Sequence, residues 1–337
     1  MGAFMHLDHM TDQELDVILG LVLYSLASVG CAYALVRFVN AARKSQTVKD
    51  FVCGSRDDEE ADDLIALNYR SVDYELAQVS RFKFYFHSFL LSSYMLEWVL
   101  YVCFAVVGSG GRQQRDTYAV HLMGLFAFFL AFCCVVMVWG TSVRVQHDIL
   151  GRGSDAQTYF TYFKLTVLSL VLIYAVILVT ALAFCYSTPD FNDFLDHWSY
   201  QVLALYVACT LTFMSFVILG LGFTVHLRML RVRPLMQREA RFWLAIGKLQ
   251  VTMAVCVTCF GVWTAAIIWL SNNSDTEDKG ALGISGITWH IMCRWVPHLV
   301  PGMMMLLFMR HVRTSEASAS MVPTPRGMPE DQLEVDR

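Results

Sequence analysis

The stretch that decides the fold of this chain is residues 287–310, ITWHIMCRWVPHLVPGMMMLLFMR. It is long enough to cross a bilayer as a helix, which takes roughly 20 residues, yet it carries Arg294 and His298. A charge at membrane depth is costly unless it is paired or faces a polar interior. Pro297 and Pro301 each remove a backbone donor and crowd the carbonyl four residues earlier, so we expect a hinge there. The segment therefore predicts a membrane helix with a role beyond apolar packing.

The composition of the chain indicates an integral membrane protein. Of its 337 residues, 56% are hydrophobic and 16% are charged, whereas a soluble domain carries roughly 25% charged residues. The formal net charge of −4 and the lack of a Lys/Arg-rich block argue against a nucleic-acid partner. The first 16 residues contain no Lys or Arg but four acids, so we expect no cleaved signal peptide.

Seven apolar segments, separated by turn-forming residues, are long enough to span a bilayer. They are approximately 17–39, 84–107, 118–143, 162–185, 200–225, 242–270 and 287–309. We therefore expect an all-α membrane protein, a seven-transmembrane helix bundle within residues 17–313. Residues 1–16 would form an outer N-terminus, residues 40–82 a cytosolic loop and residues 314–337 a disordered cytosolic tail.

The distribution of basic residues predicts the orientation of this bundle. Segments 37–83, 144–164, 226–248 and 310–337 hold 8, 3, 6 and 4 Lys and Arg residues, whereas the segments on the other side hold 3. Because cytosolic loops are rich in Lys and Arg, this bias predicts an outer N-terminus and a cytosolic C-terminus, the topology of G-protein-coupled receptors. Asn272 then begins a glycosylation sequon on the outer side, too close to the sixth span for us to expect its use.

The long first cytosolic loop contains one amphipathic stretch. Within residues 64–79, LIALNYRSVDYELAQV, the apolar positions suit a short helix on the membrane surface. A solvated linker accounts for the same residues equally well, and the sequence leaves both interpretations open.

Several classes of membrane protein are not supported. The third span ends in WGTSVRV without an acid before Arg144, and the last span has no Asn-Pro-x-x-Tyr and no lysine, unlike rhodopsin-like receptors and retinal proteins. The histidines of the spans do not fit a zinc hydrolase or a haem site, because His87 and His121 are expected at opposite faces. Cys256-x-x-Cys259 in an apolar helix favours packing over metal or redox chemistry. We expect no enzyme activity, metal or cofactor.

The second half of the chain carries an ordered set of short motifs. They are Gly222-Phe223, Arg228 with Leu230, the basic loop up to Lys248, Cys256-Val-Thr-Cys259-Phe260, and Pro301 followed by Arg310. In this order the motifs resemble the seven-span domain shared by plant tobamovirus-multiplication proteins and an animal family of orphan lysosomal seven-span proteins. His87 fits the Phe-His opening of that domain's second span. The resemblance is best over residues 220–312, and it implies a vacuolar, lysosomal or plasma membrane and small GTPases as partners.

Two departures from that family point to one contact. His298 stands where the family has a Glu before the proline, and Glu97 stands where it has a basic residue in the second span. Both lie about 15 Å below the outer surface at 1.5 Å per residue, and Arg294 is one helical turn above His298. We therefore expect Glu97 to pair with Arg294 or His298, either as a switch or small-molecule site or as a structural clip.

The basic cytosolic loop between the fifth and sixth spans is the best partner surface in the sequence. Apolar residues are interspersed among its basic side chains, which include Arg228, Arg231, Arg233, Arg238 and Arg241. The loop predicts either contact with anionic lipids, typical of cytosolic loops, or a docking site for a cytosolic protein.

We thus expect a non-enzymatic membrane scaffold or receptor that recruits cytosolic signalling, trafficking or small-GTPase proteins. The alternatives are a divergent G-protein-coupled receptor that senses a small molecule near Glu97, Arg294 and His298, and a transporter or channel.

Overall fold

A computed structural model describes residues 12–53, 63–107, 111–149, 153–187, 198–236, 240–272, 291 and 295–311. These residues form seven α-helices, and none of them lies in a β-strand. The helices are α1 (Asp12–Cys53), α2 (Asp63–Val107), α3 (Gly111–Ile149), α4 (Gly153–Ser187), α5 (Trp198–Met236), α6 (Ala240–Asn272) and α7 (Val296–His311).

Six of these helices are long and apolar enough to cross a membrane. Their apolar parts are Leu15–Arg43, Val79–Val106, Arg115–Thr141, Thr158–Ser187, Leu205–Thr224 and Gly247–Ala265. The seventh helix contains a shorter apolar part, Val296–Leu307. In a bilayer every backbone polar group must be paired within the protein, and an α-helix meets that requirement by itself. The chain is therefore a multi-pass membrane protein, and the part of it that the structure describes is helical.

Several helices continue well beyond their apolar parts. The stretch 64–79, for which the sequence allowed a surface helix or a linker, forms the first part of α2. No Gly or Pro interrupts α2 between Asp63 and Val107, so nothing in the sequence breaks the helix there. The third helix also extends beyond its apolar segment, because α3 begins at Gly111, seven residues before Tyr118, where that segment starts. The helix therefore extends beyond the segment that hydropathy alone indicates.

The third helix is the centre of the bundle. In the most apolar part of α3, 78% of the residues are buried, against 22% in α4. The α2–α3 pair makes the most extensive helix–helix contact, and α7 packs mainly on α6 while it also touches α1 and α2. Because α1, α2 and α7 pack near one another and near α3, polar side chains on the facing sides of these helices can contact one another away from lipid.

Candidate functional site

Five polar side chains from four helices meet inside the bundle, and we call them the polar centre. They are Tyr24 on α1, Ser93 and Glu97 on α2, His121 on α3 and His298 on α7. Tyr24, Ser93 and Glu97 are fully buried, His298 is 2% exposed, and the His121 side chain is 25% exposed. Ser93 and Glu97 are four residues apart on one helix, so they share a face and a depth range.

His298 is the hub of a directed chain of hydrogen bonds. The Ser93 hydroxyl donates to the Gly124 carbonyl at 2.8 Å, so its single proton is used and its oxygen accepts from His298 Nε2 at 2.9 Å. In the neutral ring the other nitrogen, Nδ1, then accepts from the Tyr24 hydroxyl at 3.0 Å. The chain of bonds links α1, α7, α2 and α3 in that order. It fixes both the tautomer and the orientation of the imidazole.

Glu97 is held by α3 one helical turn away from this chain. Its Oε1 atom lies 2.6 Å from His121 Nδ1, a short contact typical of a charge-assisted hydrogen bond. A β-carbon added at Gly124 would lie 3.1 Å from the same Glu97 oxygen. The glycine therefore leaves the space that the carboxylate occupies between α2 and α3, and any larger residue at 124 would crowd it.

Aromatic rings enclose the imidazole of His298. The centroid of its ring lies 4.4 Å from that of Phe128, 5.4 Å from Tyr94, 5.6 Å from Tyr24 and 6.1 Å from Trp263. These rings come from α3, α2, α1 and α6, so four helices cover one side chain of α7. Such an enclosure keeps water from competing for the hydrogen bonds and strengthens each of them.

Tyr94 joins α2 to the proline-containing turn of α7. Its hydroxyl lies 3.3 Å from the Leu299 carbonyl and 3.5 Å from the His298 carbonyl, in the turn that precedes Pro301. A β-carbon on Gly302 would clash with that hydroxyl, and Tyr94 is fully buried and cannot turn away without disturbing the core. A side-chain hydroxyl thus binds the backbone of α7 where a proline interrupts the regular helical hydrogen bonds.

A second link ties the start of α7 to the bundle. The Trp295 indole N–H donates to the Tyr101 hydroxyl at 2.7 Å, and the Tyr101 ring stacks on Tyr24 at 5.7 Å between centroids. Tyr24, which bonds His298, is therefore packed against Tyr101, which bonds Trp295. The two links stabilise one position of the start of α7.

The sequence singled out two members of the polar centre, Glu97 and His298, but did not identify the partners that the structure describes for them. Glu97 bonds His121, and His298 bonds Tyr24 and Ser93. Arg294 lies outside the described residues, so its pairing with Glu97 stays a prediction. Pro297 falls in the first turn of α7, where a missing N–H has no intrahelical acceptor to lose, whereas Pro301 is inside the helix. The hinge at these prolines also stays a prediction.

The basic docking surface expected between the fifth and sixth spans is described only as backbone. Arg238 lies outside the described residues, and so does the tail 314–337. The other four arginines belong to described helices, but their side chains are not described: Arg228, Arg231 and Arg233 on α5, and Arg241 on α6. Its role as a partner surface therefore stays a prediction.

Sequence reasoning missed Tyr24, Ser93 and His121. Buried hydroxyl groups have no periodic signature, because Ser and Tyr also occur on helix surfaces, where a serine can bond its own backbone, as Ser92 does with the Ser88 carbonyl. His121 had a usable signal. In two antiparallel helices joined by a short connection, residues equally far from the connection lie at the same depth. Glu97 lies ten residues before the end of α2 and His121 ten residues after the start of α3, so a contact between them could have been expected.

The arrangement suits mechanical coupling between helices rather than metal binding. Among the described residues, no group of three or more His, Cys, Asp or Glu side chains gathers closely enough to hold a metal. His87 lies away from the polar centre, where its Nδ1 atom bonds the Lys83 carbonyl at 2.6 Å and its ring stacks on Phe38. Every described bond of the polar centre joins two different helices, so a change in any one alters their relative positions.

The family resemblance rests on the motifs quoted above and stays a prediction. No family model, curated protein or solved structure matches the chain.

Proposed function

We propose that the protein is a non-enzymatic membrane scaffold or receptor, in which the polar centre sets the position of α7 and cytosolic proteins are recruited at the inner face. The observation that supports this most directly is the hydrogen-bond chain from Tyr24 through His298 and Ser93 to Gly124. Ionisable and polar groups are expensive inside a membrane and are retained there for a role. Here their described bonds all run between helices.

The proposal includes a seven-span topology with the N-terminus outside and the C-terminus in the cytosol. The excess of Lys and Arg in the segments assigned to the cytosol supports that orientation. It would bring the end of α7 and the basic loop between α5 and α6 to the same side. An epitope tag on the C-terminus should then bind antibody only after the cells are permeabilised, and a tag on the N-terminus should bind without permeabilisation.

The partners we expect are small GTPases or trafficking and signalling complexes on a vacuolar, lysosomal or plasma membrane. The test compares, by mass spectrometry, the proteins that co-purify with the detergent-solubilised parent chain and with a variant in which five arginines are replaced by Gln: Arg228, Arg231, Arg233, Arg238 and Arg241. The control replaces four arginines at the end of α7 and beyond it, Arg310, Arg313, Arg326 and Arg337, because it removes charge from another segment assigned to the cytosol.

Loss of small GTPases or trafficking factors from the loop variant alone would support the scaffold. Equal lists from the parent and both variants would contradict docking at the loop, whose charge would then act only in topology and lipid contact. The same experiment on His298→Ala asks whether the polar centre matters for recruitment. If the loop is the docking site and α7 controls it, the lists from the loop variant and from His298→Ala should lose the same proteins.

A second candidate is a receptor for a small molecule bound near Glu97, Arg294 and His298, and the enclosure of His298 by rings from four helices favours it. Aromatic walls around a few polar groups are typical of small-molecule sites. Heterotrimeric G proteins among the co-purifying partners would favour this receptor over the scaffold. A ligand that raises the melting temperature of the parent chain but not of His298→Ala would identify the site.

A further inference from the structure

A small cavity lies beside the polar centre, on the side away from α1. It has a volume of about 20 Å³ and lies between α3, α4, α5 and α6. Its wall is almost wholly apolar, and the hydroxyl of Thr210, which lines it, already donates to the carbonyls of Tyr206 and Val207 at 2.8 and 3.0 Å. A cavity that offers water so few partners stays dry. It is therefore free volume inside an otherwise close-packed bundle.

Phe128 separates this cavity from His298. Its ring lines the cavity on one side and lies 4.4 Å from the imidazole on the other, at an interplanar angle of 62°. Its other ring neighbours are Phe132 on the same helix at 4.9 Å, and Trp263 at 5.9 Å and Phe260 at 6.4 Å on α6, measured between centroids. Trp263 also lines the cavity and lies 6.1 Å from His298, so both rings border the polar centre and the empty space, and Phe128 is the closer of the two to the imidazole.

The free volume determines where this ring can move. Protein interiors are packed as densely as organic crystals, so a buried ring changes its rotamer only into space that is already empty or easily emptied. The cavity offers such space on the side of Phe128 opposite to His298. Movement toward His298 is closed by the imidazole and by its hydrogen bonds to Tyr24 and Ser93.

We propose that Phe128 is a gate: its ring tilts from His298 toward the cavity and so loosens its packing on the imidazole. The tilt is small, because a cavity of about 20 Å³ has room for about one water molecule and not for a whole ring. With the ring on His298, the imidazole is pressed toward Ser93 and Tyr24, and α7 stays in place. With the ring tilted, that face of His298 is less tightly packed, and α7 loses part of a contact near Pro301. As regulation of the polar centre this inference rests on the function proposed above, but the motion itself can be measured without any partner.

The test fills the cavity with one methyl group. Val207 is buried and lines the cavity, so Val207→Ile adds a methyl group to space that is empty. The matched control is Val167→Ile on α4, also buried but packed in the core away from this cavity. In each background the detergent-solubilised full chain carries 4-fluorophenylalanine at position 128, and the fluorine spectrum and the melting temperature are recorded.

We expect the fluorine signal of the parent chain and of Val167→Ile to be split or broadened by two ring positions. Val207→Ile should give one narrow signal and a higher melting temperature, because the added methyl group fills empty space, whereas Val167→Ile should melt lower because it overpacks. A parent signal that Val207→Ile leaves unchanged would overturn the gate. So would a Val207→Ile chain that melts lower than the parent or fails to fold, because the space would then not be available to a ring.

The two proposals fail separately. If recruitment does not depend on the basic loop or on His298 while Val207→Ile narrows the signal, the proposed function is wrong and the gate stands. If recruitment is lost as expected but the signal does not respond, the scaffold stands and Phe128 is only a wall of the polar centre.

Discussion

Glu97 and His121 contact each other at 2.6 Å because each lies ten residues from the short connection between their helices. Glu97 is ten residues before Val107, where α2 ends, and His121 is ten residues after Gly111, where α3 begins. At 1.5 Å per residue both side chains lie about 15 Å along their helices, so the hairpin brings them together. The carboxylate is fully buried, whereas a quarter of the histidine side chain is exposed.

Replacing His121 with Leu should lower the stability of the bundle. Glu97 would lose a charge-assisted hydrogen bond while it stays buried, and we expect a loss of about 1–3 kcal/mol, measured as a lower melting temperature in detergent. Met123→Leu is the control, because Met123 lies on the same helix with its side chain 44% exposed and should change nothing. Equal stability of His121→Leu and the parent would mean that this bond makes no net contribution.

Two neighbouring serines should respond differently to the same substitution. Ser93→Ala removes the hydroxyl that accepts from His298 and donates to the Gly124 carbonyl, so two buried groups lose their partner. Ser92→Ala removes an exposed hydroxyl that bonds its own helix at the Ser88 carbonyl. We expect a cost of about 1–3 kcal/mol for Ser93→Ala and almost none for Ser92→Ala in thermal unfolding. Similar melting temperatures for the two variants would contradict the role given to Ser93.

Gly302→Ala should destabilise α7 through one identifiable clash. The new β-carbon would overlap the Tyr94 hydroxyl, and we expect a cost of about 1–3 kcal/mol. Gly261→Ala is the control, because nothing lies within 4 Å of a β-carbon there and Ala favours a helix more than Gly does. Combining Gly302→Ala with Tyr94→Phe should recover part of the loss, since the clashing oxygen is gone. If the double variant recovers no stability, the clash does not involve the Tyr94 hydroxyl.

The pairing of Glu97 with Arg294 can be measured by a double-mutant cycle. If the two residues pair, Glu97→Gln would remove this partner from Arg294 and Arg294→Gln would leave Glu97 with one partner fewer, whereas the double variant removes both charges. If the two residues pair, the double variant should lose less stability than the two single variants together, with a coupling of about 0.5–3 kcal/mol. Additive losses in thermal unfolding would show that Arg294 has a different partner.

The membrane character of the fold could be predicted because hydropathy over 20 residues depends only on composition. Depth along two spans predicted only that Glu97 and His298 lie at similar levels, and their pairing stays a prediction. Hydropathy was less informative about where α3 begins, because the polar residues from Gly111 to Thr117 extend the helix without being apolar. That difference of seven residues is why His121 was expected near the outer face although it bonds Glu97.

The partners of His298 could not be predicted for a different reason. Spacing along a helix gives the face on which a residue lies, but not which of several hydroxyl groups on a neighbouring helix comes within 3 Å. Tyr24 meets His298 across a separation of 274 positions, and no local pattern encodes such a contact. Phe128 is a similar case, since one ring of a phenylalanine-rich helix contacts the imidazole only through the exact rotation of α3 about its axis.

The cavity beside Phe128 also gives the molecule a response to hydrostatic pressure. An internal void adds to the volume of the folded protein, and unfolding eliminates it. Pressure favours the state of smaller volume. Compression would therefore lower the stability of the bundle, and it would do so less in a variant whose cavity is filled.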